Sequence, residues 1–191
     1  VSTADDTRAR ILDAATTEFA AHGIAGARVD RIAARSGMSK PMIYTYFGGK
    51  STLFDAVFRA HVLGNGDRVP FDAADLPGYT ARLYDDYLAD PALVRLLMWK
   101  RLEQDGAGYL YPGFEEHDEQ HLREIAAEQR AGRVRYDLEP VDLWALLIAS
   151  AATWAQGSIT AVATAEDSPA EHDRRRSALV RYVAGAVQPP A

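Results

Sequence analysis

Two runs of helical periodicity, Val29–Ser36 and Lys40–Phe47, are separated by only three residues, Gly37-Met38-Ser39. So short a link, opened by a glycine that can turn left-handed, forces the second helix to cross the first at a steep angle. In the first run Val29, Ile32 and Ala33 share a face, and in the second Ile43 and Phe47 are four apart and point inward. Ser39 supplies an N-cap and Pro41 sits in the first turn. The pattern predicts a helix-turn-helix over residues 29–47. It leaves Lys40, Pro41, Met42, Tyr44, Thr45 and Tyr46 facing outward or sideways. Two tyrosines and a proline on an exposed short helix are poorly explained as plain solvated surface. They suit phosphates, deoxyribose and thymine methyls, because a short exposed helix fits the major groove and its first turn reaches base edges. Lys50 opens the next helical run, where its ammonium and unbonded backbone N–H groups can face a phosphate.

Charge supports a local anion site on an otherwise acidic chain. The 191 residues carry a net charge of −6. Residues 1–61 hold eight bases against six acids, whereas the remainder holds 13 against 21. Five of the eight lie between Arg28 and Lys50. A basic N-terminal piece on an acidic body is the footprint of localised phosphate binding. Cysteine is absent, which excludes disulfide scaffolds, cysteine zinc sites and cysteine nucleophiles and points to a reducing, cytoplasmic setting. The longest largely apolar stretch, Leu143–Ala152, is far short of the roughly 20 residues a membrane span needs. The N-terminal VSTADDTR has acids and no apolar core, unlike a secretory signal.

Around the motif only helical patterns occur, so the expected class is all-α. A first helix over about Thr7–His22 carries Ile11, Leu12, Ala15 and Phe19 on one face, with Ser2 or Thr3 and Asp5 or Asp6 as capping chemistry and Gly23 as its stop. A helix over about Lys50–Leu63 carries Leu53, Phe54, Val57, Phe58 and His61. The Gly-, Pro- and Asp-rich run 64–78 reads as a connector, dividing the chain into a body at 1–63 that carries the helix-turn-helix and a second helical body at 64–191. Helices are expected over Tyr79–Ala89, Pro91–Gln104, Phe114–Ala131, Pro140–Thr164 and from Ser168-Pro169 to Val187, with a loop at 105–113. The Pro140–Thr164 run is apolar around its whole circumference and demands burial on all sides. In so short a chain that implies a second subunit. A four-helix, two-fold interface is expected, built from Leu147, Ala151 and Trp154 together with Leu179, Tyr182 and Val183 of the last helix.

Residues 8–61 resemble the DNA-binding domain of the TetR family of bacterial transcriptional regulators. The features that carry this are the helix ending Phe19…Gly23, the block VDRIAARSGMSKPMIYTYF, and the following Lys50, Leu53 and Phe54. The all-helical remainder resembles the family's regulatory body in layout, and Asp90–Glu103 resembles a segment of one subgroup's C-terminal domain. The resemblance implies a homodimer that binds palindromic half-sites of a double-stranded operator and answers to a small-molecule effector. By position, Ser39, Lys40, Pro41, Met42, Tyr44, Thr45 and Tyr46 would lie in or beside the groove. Lys40 would donate to guanine, Pro41 and Met42 would touch thymine methyls, and Tyr44, Tyr46 and Lys50 would meet phosphates. One departure is clear: Ala27 and Arg28 stand where the family commonly has a capping threonine, and Arg28 is expected to offset the lost cap by binding a phosphate.

In the regulatory body Met98, Trp99, Leu102 and Trp144 are the candidate walls of an apolar effector site, and the Lys50–Leu63 helix is the candidate lever. His117 and His121, with Asp118, have zinc-ligand spacing, but the segment EEHDEQHLRE is so polar that a solvated face is the expectation, with no metal and no cofactor. A regulator controlled by a protein partner is the alternative. A helical-bundle enzyme is the remote one, since a di-iron site needs repeated Glu-x-x-His motifs and only Asp118-x-x-His121 occurs, once, with no phosphate loop or nucleophile elbow.

Overall fold

The computed structural model describes residues 3–104, 114–155, 158 and 160–190. Among these there are nine α-helices and no strand. They are α1 (Thr3–Gly26), α2 (Val29–Ser36), α3 (Lys40–Phe47), α4 (Lys50–Arg68), α5 (Leu76–Ala89), α6 (Pro91–Glu103), α7 (Phe114–Arg130), α8 (Pro140–Ala151) and α9 (Pro169–Val187), with a 3-10 turn at Ala73–Asp75. Two compact units result. One comprises residues 1–64 and 92–111, the other 65–91 and 112–191. Helix α6 packs within the first unit, with the N-terminal helices.

The first unit is built on α1. Ile11, Ala14, Ala15 and Phe19 are buried, and Phe19 meets Phe54 of α4 edge to face at 5.2 Å between ring centres. Helix α1 starts at Thr3 rather than Thr7 and runs on to Gly26, broken at Gly23 (φ 70°, ψ −173°). That conformation is open essentially to glycine alone. Space makes the same demand: a Cβ on Gly23 would stand 2.1 Å from Glu103 Oε1 and 2.7 Å from the Trp99 ring. Helix α6 fastens onto this end of α1 by polar contacts. Glu103 accepts from the Ile24 and Ala25 N–H groups at 3.0 and 2.6 Å, while Arg95 and the Trp99 indole donate to the Ala20 carbonyl at 2.8 and 3.2 Å.

In the second unit the core joins Leu76 and Tyr84 of α5, Ile125 of α7, Leu143 and Leu147 of α8, and Leu179, Val183 and Val187 of α9. The supposed connector is largely structured. Helix α4 continues through Gly64 and Gly66 to Arg68 because Asn65 and Arg68 donate to the buried Asp86 carboxylate at 2.7 and 2.9 Å. Charge-assisted bonds to a buried group outweigh the roughly 1 kcal/mol that each helical glycine costs. Helix α8 stops at Ala151, not Thr164, and the Ala163 N–H donates to the Trp154 carbonyl at 2.8 Å. The 105–113 loop, Ser2 as a cap, and residues 156, 157 and 159 of the expected long helix lie outside the described residues.

Gly23 and Gly132 share a φ of 70°, but nothing stands within 4 Å of a Cβ at Gly132. Gly132→Ala is expected to cost about 1 kcal/mol, the backbone penalty alone. Gly23→Ala should cost at least about 2 kcal/mol more, as overpacking does. Equal shifts in urea midpoint would show that the α1–α6 joint yields freely.

Candidate nucleic-acid interface

Helix α3 is eight residues long, too short to hold its shape without help. Its help is local. The Ser39 hydroxyl accepts from the Met42 N–H at 3.3 Å, Pro41 fixes the first turn, and Gly48 closes the far end by donating to the Tyr44 carbonyl at 2.7 Å. Ile43 is its one buried residue, at 1% exposure, while Phe47 is half-buried beneath the Arg8 guanidinium, 5.5 Å from the ring centre. Everything else is surface: Ser39, Lys40, Pro41, Met42, Tyr44, Thr45 and Tyr46 are all exposed. The Thr45 hydroxyl donates to the Pro41 carbonyl at 3.0 Å, which leaves its methyl and a lone pair outward.

Helix α2 holds α3 at its angle. Val29 and Ile32 are buried, and Gly37 takes the left-handed conformation (φ 70°) that starts the turn. The Arg10 guanidinium donates to the Ser36 carbonyl at 2.8 Å, closing the end of α2 from α1. No side chain caps the start of α2, as the sequence indicated at Arg28. The corner is held instead by Glu18 of α1. Its buried carboxylate accepts from the Arg28 N–H at 2.8 Å and from Arg31 through Nε and Nη2 at 2.8 and 2.6 Å. Burial opposes ionisation of Glu18, but the Arg31 and Arg28 hydrogen bonds outweigh it and hold its pKa below the usual carboxylate range. Sequence reading missed Glu18, although an acid on an otherwise apolar helical face was there to be seen.

The Lys50 ammonium donates to the Ala25 and Ala27 carbonyls at 3.1 and 3.2 Å. Two of its three N–H donors therefore brace the α1–α2 corner from the opposite side, and one remains for a phosphate. Lys40 also has a partner: its ammonium lies 3.0 Å from the Asp30 carboxylate of α2, which raises its pKa above the ordinary lysine value.

The four expected effector walls fall in different units. Trp99 is engaged in the α1–α6 joint, Met98 is half-buried, and Leu102, 74% exposed, faces solvent; all three belong to the first unit. Trp144 lies in the second unit, in an aromatic cluster with Phe71 (5.3 Å), Tyr79 (6.0 Å) and His121 (4.7 Å). His121 is thus half-buried rather than on a solvated face. Burial, with the Asp86 charge adding to it, pushes the neighbouring Tyr87 phenol up to about 12.

Of the expected interface residues, Leu147, Ala151 and Val183 are buried within their own chain, as is Leu179, which also lines a groove with Trp154 and Tyr182. The outward faces of α8 and α9 instead carry Leu146 and Tyr182, 55% and 66% exposed. With Trp154 and Ala178 they line an open apolar groove of about 390 Å³.

Glu18→Gln should destabilise the fold by about 1–3 kcal/mol at neutral pH, since it removes the charge from a buried acceptor that holds the Arg28 N–H and the Arg31 guanidinium. A carboxylate with a lowered folded pKa stabilises fully above its ordinary value of 4.5 and ceases to as pH falls through the lowered one. Melting curves of the two proteins should therefore converge in acid; a gap that persists there would contradict the assignment.

Comparison with known proteins agrees with this geometry. Residues 11–57 match the family model for bacterial regulatory proteins of the tetR family, and residues 75–184 match the tetracyclin repressor-like C-terminal domain. The chain is 42% identical over 152 residues, 78% of each protein, to the HTH-type transcriptional repressor SCO4008 of Streptomyces coelicolor. It is 31% identical over 133 residues to the HTH-type transcriptional repressor NicS of Pseudomonas putida, covering 65% of this chain and 58% of NicS. The crystal structure of SCO4942 from Streptomyces coelicolor superposes with a TM-score of 0.80 at 36% identity, over 96% of this chain and 99% of that one. With both parts of the chain matched, and with a helix-turn-helix whose second helix is exposed on all but one face, this protein is a DNA-binding transcriptional regulator of the TetR family and not an enzyme.

Proposed function

We propose that the protein is a homodimeric repressor that leaves its operator when a small apolar ligand enters the second unit. The observation that carries the DNA half of this reading is the division of α3: Ile43 is buried and the six other residues from Lys40 to Tyr46 are exposed. In the assignment that follows, Lys40 donates to guanine O6 and N7, Pro41 and Met42 meet thymine methyls, and Ser39 and Thr45 lie beside the groove. Tyr44 and Tyr46 reach phosphates, with Arg28 and the third N–H of Lys50. Support for repression comes from the two relatives named as repressors.

The dimer reading rests on the apolar outer faces of α8 and α9. An open groove bordered by Leu146, Trp154 and Tyr182 exposes the surface that a two-fold copy would cover. Two recognition helices would then be set one DNA turn apart, about 34–36 Å. A ligand that prefers a body with another spacing weakens DNA binding by linkage. The Phe71, Tyr79, His121 and Trp144 cluster supports an apolar or aromatic ligand, and α4, running through residue 64 from one unit into the other, is the lever.

Two outcomes are expected. Selection from random duplexes should return a palindromic motif, and Lys40→Ala should relax it at one position per half-site at a cost of about 1–3 kcal/mol. Identical motifs for mutant and parent would contradict the base contact. Light scattering should give about twice the 20.9 kDa chain mass at micromolar concentration. Leu146→Glu combined with Tyr182→Glu should give monomers that stay helical, and a parent that is itself monomeric would refute the interface.

A further inference from the structure

The ion pair between Lys40 and Asp30 has no structural justification of its own. Both partners are open to water, with side-chain exposures of 45% and 74%. Such a pair contributes little to folding. Its position is what matters. Lys40 is the first residue of α3, at the helix end that reaches base edges. Asp30 lies in the first turn of α2, where unbonded backbone N–H groups would by themselves attract a phosphate. A carboxylate there works against every polyanion, so this surface carries a group opposed to plain DNA affinity.

The donor inventory of lysine resolves the conflict. An ammonium has three N–H donors, and the Asp30 carboxylate at 3.0 Å takes one. Seen from a phosphate several ångströms away, the pair is nearly neutral. Seen from guanine O6 and N7 at hydrogen-bond distance, two oriented N–H groups remain. We propose that Asp30 is a specificity-determining residue: it holds Lys40 for base-edge acceptors and withholds it from the phosphate backbone. The inference rests on the reading of α3 as the helix that enters the groove with Lys40 at a base.

The test is a double-mutant cycle on DNA. Full-length parent, Asp30→Asn, Lys40→Ala and the double variant are each titrated with the duplex selected by the parent and with a scrambled duplex of equal composition, over a series of KCl concentrations. Asp30→Asn is nearly isosteric and exposed, and unchanged melting curves establish that it folds. It should tighten the scrambled duplex by roughly three- to tenfold and steepen its log K against log salt slope by about one per protomer. The selected duplex should gain less, so the ratio of the two affinities falls. In the Lys40→Ala background the same change should leave that ratio alone. Equal tightening of both duplexes, or an equal fall in the ratio without Lys40, overturns the inference. Should Lys40→Ala by itself leave the selected duplex unaffected, the underlying base contact fails first and takes the inference with it.

Discussion

An eight-residue helix is not stable alone, yet this fold holds one with most of its side chains facing out. The interaction that makes this possible is the burial of Ile43, at 1% exposure, between two local stops: Ser39 with Pro41 at one end and Gly48 at the other. Because Ile43 and the half-buried Phe47 suffice as anchors, the positions from Lys40 to Met42 and Tyr44 to Tyr46 are released from packing. The cost is precision elsewhere, since a helix held by so few residues is only as well aimed as the corner beneath it.

That corner is fixed from three directions. Glu18 takes the Arg28 N–H and the Arg31 fork, Lys50 takes the Ala25 and Ala27 carbonyls, and Glu103 takes the Ile24 and Ala25 N–H groups. The Ile24, Ala25 and Arg28 N–H groups and the Ala25 and Ala27 carbonyls are thus satisfied by side chains from α1, α4 and α6. Such fixation is directional, whereas apolar packing is not, and it couples the start of α2 to α4 and α6. Gly23 lets Glu103 and Trp99 of α6 approach so closely, which ties a single glycine to the corner that precedes α2.

Legibility in the sequence followed the range of the forces involved. Helices α3 and α9 begin where Ser39-Pro41 and Ser168-Pro169 indicated, because caps and prolines act within a few residues. The outward set from Lys40 to Tyr46 was legible for the same reason. What could not be read depended on distant partners. Asp86 carries α4 through two glycines, Glu103 and Trp99 bind α1 from some 80 positions away, and the apolar circumference of α8 left open which half its own chain would cover. Periodicity gave the apolar stripe of α9 but could not tell that Leu179 and Val183 turn to the core while Tyr182 turns away.

Chemical interference at guanine N7, which lies in the major groove, tests the central claim most directly. With the parent protein on its selected duplex, methylation by dimethyl sulfate should block binding at guanines in two half-sites about one helical turn apart. Interference confined to adenine N3 in the minor groove, or absent from both grooves, would show that the exposed side of α3 is not what the DNA meets.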